Sequence, residues 1–152
     1  MISLVEFAPL DGWPGPKARE RSVDPALVSS WADGVRYVHP LYDGRIRPGS
    51  RYVATHRLLG RNVVLVHTVE AVTPGYGWRT RAERPRATVT VELSLRPQPD
   101  PAVTLAVEVS VWGAARWARP LLAWSVRRSA RRAVRRLAAA LAVRSTARQT
   151  VR

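Results

Sequence analysis

Two stretches of strict alternation followed by one long amphipathic stretch limit what this chain can fold into. Val89, Val91, Leu93 and Leu95 interleave with Thr88, Thr90, Glu92 and Ser94. Val103, Leu105, Val107, Val109 and Val111 repeat the pattern against Thr104, Glu108 and Ser110. A period of two with one apolar and one polar set marks strands of a sheet with one dry face and one wet face. Next, Leu122, Val126, Ala130, Ala133, Val134, Leu137 and Leu141 recur at helical spacing. At ~100° per residue they cover roughly a third of a helix, the width of a core-facing stripe. The helix is expected over about residues 117–143, with Pro120 tolerable in its first turn and the start then nearer Arg119. A one-faced antiparallel sheet needs a cover, so the expected class is α+β, a curved antiparallel sheet wrapped on a long C-terminal helix. Space between them that side chains do not fill becomes a ligand cavity.

The strands upstream are set by turn residues. Arg51 to Leu58 and Asn62 to Val72 flank Gly60-Arg61, read as a two-residue type II′ turn that pairs residue 59 with 62 and 56 with 65. Thr73-Pro74-Gly75 leads into a strand from Tyr76 to Glu83, and Arg84-Pro85 into one from Arg86 to Arg96. The proline-rich loop Pro97 to Pro101 leads into Ala102 to Trp112. Near the start, Ile2 to Ala8 reads as a strand and Pro9 to Arg21 as irregular. Asp24 as N-cap with Pro25 at the first helical position opens a helix to about Trp31, which stops near Asp33-Gly34. A polar loop is expected through His39-Pro40, Asp43-Gly44 and Pro48-Gly49. Residues 145–152 read as a frayed tail.

A length of 152 residues fits one domain. The absence of cysteine removes disulfides, thiolate catalysis and zinc–thiolate sites together. No apolar run approaches the ~18 residues of a membrane span, and Met1 to Leu10 lacks the features of a secretory signal. A soluble cytoplasmic protein is therefore expected. The net charge of +14 is uneven, since residues 116–152 hold eleven arginines and no acidic residue. The remainder carries fourteen basic and eleven acidic residues and is close to neutral.

Several short motifs resemble one family. The stretch Asp24-Pro25…Trp31-Ala32-Asp33-Gly34-Val35…Pro40-Leu41…Gly44…Pro48-Gly49-Ser50-Arg51-Tyr52 is similar to the early helical segment of START-like (SRPBCC) proteins. There a D-P…W…G-V stretch precedes a G-x-R-Y/F strand start. Val69-Glu70-Ala71-Val72-Thr73-Pro74 resembles that family's strand end before a proline turn, and Leu95-Arg96-Pro97…Thr104-Leu105 its hairpin before the last strand. The resemblance covers about residues 24–143, with residues 1–23 a divergent strand and lead and 144–152 a basic tail. It implies the helix-grip fold of polyketide cyclases and dehydrases, lipid-transfer domains and pollen-allergen-like proteins. An apolar ligand then sits between sheet and C-terminal helix. The chain departs from the pattern at Leu10 to Ser22, which do not supply the family's usual first helix.

On the residues themselves, the ligand wall is expected from Tyr52, His56, Leu65, His67, Tyr76, Trp78, Val91, Leu93, Val107, Val109, Leu122 and Val126. His56 and His67 fall on one strand face, within reach of each other or of one ligand. They can hydrogen-bond a carbonyl or phenol, act as acid and base, or simply be satisfied core histidines. No third ligand joins them, so no metal site is read, and no cofactor is implied. Trp112 and Trp117 are placed at the pocket mouth and Trp124 on the outer helix side. Arg127, Arg128, Arg131, Arg132, Arg135 and Arg136 line that side, a surface for nucleic acid or anionic membrane if it is more than a solvated face. Three readings follow. The first is a carrier of a small hydrophobic ligand; the second is a cyclase or dehydratase using His56 and His67; the third is an interaction protein working through its basic helix.

Overall fold

The computed structural model describes residues 1–10, 13, 14, 16, 24, 27–32, 34–85, 87–98, 103–113 and 115–146, without the side chains of 31 and 142–146. Seven strands form one antiparallel sheet in the order β1-β7-β6-β5-β4-β3-β2. They are β1 (Ile2–Leu10), β2 (Val35–Pro40), β3 (Arg51–Leu58), β4 (Arg61–Thr73), β5 (Gly77–Arg84), β6 (Ala87–Pro97) and β7 (Val103–Trp112). A short helix α1 (Val28–Trp31) precedes β2. After β7, a single 3₁₀ turn (Arg116–Ala118) leads into α2 (Arg119–Thr146). Pro120 thus falls in the first turn of α2, where its missing N–H costs nothing.

The alternating sets of β6 and β7 face inward as their period requires, with Leu93, Leu95, Val103, Leu105, Val107 and Val111 all buried. The expected α2 stripe packs onto them through Val126, Ala130, Ala133, Val134, Leu137 and Leu141. β1 pairs along β7 from Ile2↔Val111 to Leu10↔Val103, and α2 lies over both. Within β4 a bulge between Val69 and Ala71 inserts Glu70, so the inward set changes from Leu65, His67 and Val69 to Val72.

Three expectations are corrected. The β3–β4 turn is centred on Leu59-Gly60, not Gly60-Arg61, because Leu58 pairs with Arg61. Both turn residues have positive φ, 50° and 78°, which makes the turn type I′ rather than II′. Partners therefore shift by two residues. Since two is the side-chain period, every residue keeps its face. Val35–Pro40, expected as part of a polar loop, is instead the edge strand β2, held to β3 by backbone pairing although half of its side chains are exposed and none is fully buried. The residue capping α1 is Leu27, with no side-chain cap, and Asp24 instead accepts a hydrogen bond from Tyr42 at 3.4 Å. Residues 25–26 and 33, most of Leu10 to Ser22, residues 99–102 and the tail from 147 lie outside the described residues.

Candidate functional site

The apolar interior is not uniformly filled. At the end where β6 leaves for β7, Trp78, Leu93, Leu95, Leu105, Leu137, Leu141 and Leu10 form a closed core. Toward the other end the helix presents Val126, Ala130 and Ala133, and the sheet presents Ala54, Val63, Val89, Val91, Val107 and Val109. Small and β-branched side chains there do not span the gap between sheet and helix. A cavity of about 330 Å³ remains, near the lower bound of the ~300–1,000 Å³ common for small-molecule sites. Gly34, Arg57, Leu58, Arg84, Ala87 and Leu122 also line it. A Cβ on Gly34 would meet the Ser129 hydroxyl of α2, which would have to turn away to admit it.

One wall carries a continuous polar chain. Tyr52 stands directly opposite His67 in the β3–β4 register, and their rings stack at 4.8 Å with 2° between planes. His56 lies two pairs further along, opposite Val63, with Ala54 between it and Tyr52. The Ala54 methyl leaves room for the two imidazoles to meet, Nε2 to Nε2 at 2.9 Å. His67 Nδ1 lies 3.3 Å from Thr80 Oγ1, and the Tyr52 hydroxyl donates to that same oxygen at 3.2 Å. The chain closes without conflict when the Thr80 hydroxyl proton turns to His67 Nδ1. His67 then carries its proton on Nε2 and donates to His56, whose own proton sits on Nδ1.

Burial makes this wall neutral. Desolvation lowers the His56 pKa to about 4. Desolvation, reinforced by the neighbouring His56, lowers His67 to about 3. The same burial holds the Tyr52 phenol above its ordinary range. At neutral pH the wall offers uncharged donors and acceptors set in aliphatic surroundings. The Trp78 indole N–H is buried with no partner among the described residues. Trp78 lines this cavity and also a shallower depression of about 250 Å³ bounded by Tyr76, Gly77 and Ser94.

The structure brings Tyr52, His56, Leu65, His67, Trp78, Val91, Val107, Val109, Leu122 and Val126 together around the cavity. It leaves two expected residues outside. Tyr76 does not open β5. Its N–H bonds the Thr73 carbonyl to close a turn, and its ring meets Trp13 edge-on at 5.3 Å. Leu93 points inward but is packed solid between its register partners Trp78 and Val107. Sequence reasoning missed Thr80, whose role follows from the bulge-shifted pairing of β4 with β5. It also missed Ala54, Ala130 and Ala133, whose contribution is the volume they leave empty.

Arg127, Arg128, Arg131, Arg132 and Arg135 border a shallow surface depression beside Trp124, and Arg128 sits 5.6 Å over that ring. The face is not without acid, because Glu6 of the edge strand β1 reaches Arg131 at 3.0 Å and Arg127 at 4.0 Å. Two of these arginines therefore help fasten α2 to β1. Among the described residues, no three of His, Cys, Asp and Glu converge where a metal ion could sit. No described helix is long and apolar enough to cross a membrane.

A curved antiparallel sheet wrapped on one long C-terminal helix with a cavity between them defines the helix-grip fold. Solved structures bear this out. A START superfamily protein from Mycobacterium smegmatis superposes with a TM-score of 0.72 at 12% identity, over 93% of this chain and 97% of its own. The Zhui aromatase/cyclase from Streptomyces sp. R1128 gives 0.70 at 12% identity, over 94% of each chain. Ginseng major latex-like protein 151 from Panax ginseng gives 0.62 at 8% identity, over 91% of this chain and 96% of its own. At such identities the likeness establishes a START-like fold and leaves the ligand open. No family model and no curated protein matches the sequence.

Proposed function

We propose that this protein binds and carries a small hydrophobic molecule, lipid- or polyketide-like, in the cavity between sheet and α2, and does so in the cytoplasm. One observation carries the reading: a mostly aliphatic cavity of about 330 Å³ with Tyr52, His56 and His67 on one wall, His67 bonding His56 directly and Tyr52 through Thr80 in one neutral chain. Such a site extracts apolar surface from water and orients the ligand through one carbonyl, hydroxyl or phenol. The test is native mass spectrometry of the purified protein for a retained molecule, together with titration of the neutral dye N-phenyl-1-naphthylamine. Retained mass or saturable dye binding is expected. An empty protein that also ignores the dye overturns the proposal.

A second reading is a cyclase- or dehydratase-type enzyme. It is favoured by the unbroken relay from Tyr52 to His56, and one structural neighbour bears an aromatase/cyclase name. Replacing His56 and His67 together by Gln separates the two, since an enzyme loses turnover and a carrier changes only its affinity.

A further inference from the structure

By register, the β3–β4 turn, the β5–β6 turn and the end of β7 fall at one end of the sheet, and α2 begins there too. This is the end at which Arg57, Leu58, Arg84 and Leu122 border the cavity. Large apolar side chains are exposed at the same end: Leu59 by 49%, Trp112 by 39%, Trp117 by 81% and Leu121 by 55%. Leu121 and Trp124, three residues apart near the start of α2, share one side of it, and Trp117 stands in the 3₁₀ turn that leads into it. Around them stand Arg57, Arg61 and Arg84, none with an ion-pair partner among the described residues.

Leu59 is the sharpest of these. It is the sole non-glycine residue with positive φ among the described residues, and it holds an aliphatic side chain in water at a turn tip where Asn or Gly would be unstrained. Folding alone gives no reason for leucine there.

We propose that this end of the molecule docks on a bilayer containing anionic lipid. Leu59, Trp117 and Leu121 enter the interfacial layer, and the surrounding arginines meet the lipid phosphates. The surface pairs exposed indoles and leucines with uncompensated positive charge, the combination that suits a headgroup boundary. A single-stranded RNA would use the arginines but gains nothing from two exposed leucines, so the bilayer is the favoured occupant. Docking there would bring the membrane to the end of the cavity that Arg57, Leu58, Arg84 and Leu122 border. The proposal stands on the surface alone and needs no ligand in the cavity.

The full chain is mixed with phosphatidylcholine vesicles, with and without phosphatidylglycerol, and sedimented. Binding is expected to be at least ~tenfold stronger with the anionic lipid and to weaken with added salt. The double variant Trp117→Ser/Leu121→Ser, altered only at exposed positions, is expected to lose at least ~tenfold in vesicle affinity. Leu59→Asn is the decisive companion, because it relieves the turn and should unfold at a higher temperature while binding vesicles less well. A loss of docking in a more stable protein has no misfolding explanation. Equal binding to both vesicle types, unchanged binding by both variants, or tighter binding of a single-stranded oligoribonucleotide than of vesicles each overturns the proposal. Dye binding in the cavity is measured on the same samples, so failure of docking and failure of the carrier reading are seen separately.

Discussion

The neutral histidine pair makes stability depend on pH in a calculable way. In the unfolded chain both imidazoles titrate near the ordinary value of ~6.5. In the folded protein, burial holds His56 at about 4 and His67 at about 3. A folded pKa below the unfolded one means that the unfolded state binds protons first. The stabilisation is therefore fully present above about pH 6.5 and is lost as pH falls toward about 4. Between pH 7 and pH 5 each histidine forfeits about 2 kcal/mol, and the pair about 4 kcal/mol, a large share of the ~5–15 kcal/mol that holds a domain together. The assay is urea unfolding of the wild type and of His56→Gln/His67→Gln at pH 7 and pH 5. Every other titratable group is common to both proteins, so the difference of differences isolates the pair. The wild type should lose about 4 kcal/mol more than the double variant over that interval, and the single variant His56→Gln should lie about midway. Parallel pH dependence in wild type and double variant would refute the claim that the two rings are buried uncharged.

Three further outcomes follow from the geometry. Ala133→Leu places a larger side chain in the cavity, so N-phenyl-1-naphthylamine affinity should fall by at least ~tenfold while the melting temperature holds or rises. Trp78→Phe removes a buried N–H with no acceptor among the described residues; thermal unfolding should show it unchanged or up to ~1 kcal/mol more stable, and a drop of more than ~2 kcal/mol would count against an unpartnered indole. Leu59→Asn should raise the melting temperature by roughly 2–4 °C, the shift that ~1 kcal/mol produces in a domain of this size, as calorimetry would read directly.

What could be read from the residues, and what could not, divides along the range of the interactions. β6, β7 and α2 were legible because a core-facing period of 2 or 3.6 is written into neighbouring positions, and the inward sets of both strands pack as alternation requires. The face shared by His56 and His67 was also legible, since it survives any register error of two residues. β2 was not, because Val35–Pro40 leaves Arg36, Tyr37 and His39 in water and exists through backbone bonds to β3 that no side-chain pattern records. The Leu59-Gly60 turn escaped because leucine is disfavoured where φ is 50°. Thr80 escaped because its approach to His67 depends on the Glu70 bulge, a pairing between strands rather than a property of either. The cavity lies in the sequence only as an absence of bulk. Ala54, Ala130 and Ala133 look like ordinary small core residues until the opposing wall is in place.

The depressed histidine pKa values also bear on which chemistry the wall can support. A general base works best when its pKa is near the working pH, and these imidazoles, at about 4 and about 3, sit well below neutrality. They would rarely hold a proton taken from a ligand. The same values suit them to hydrogen bonding, since neither ring needs to change charge when a ligand arrives. A neutral ligand with one carbonyl or hydroxyl can replace solvent at His56 without disturbing the chain behind it. A carboxylate placed against His56 would instead favour the imidazolium and raise its pKa, so binding of such an acid would tighten as pH fell toward 5. Affinity that stays flat from pH 8 down to pH 5 identifies an uncharged group at His56. Affinity that climbs over that interval identifies an acid, and would return the pair to the pH range in which proton transfer is effective.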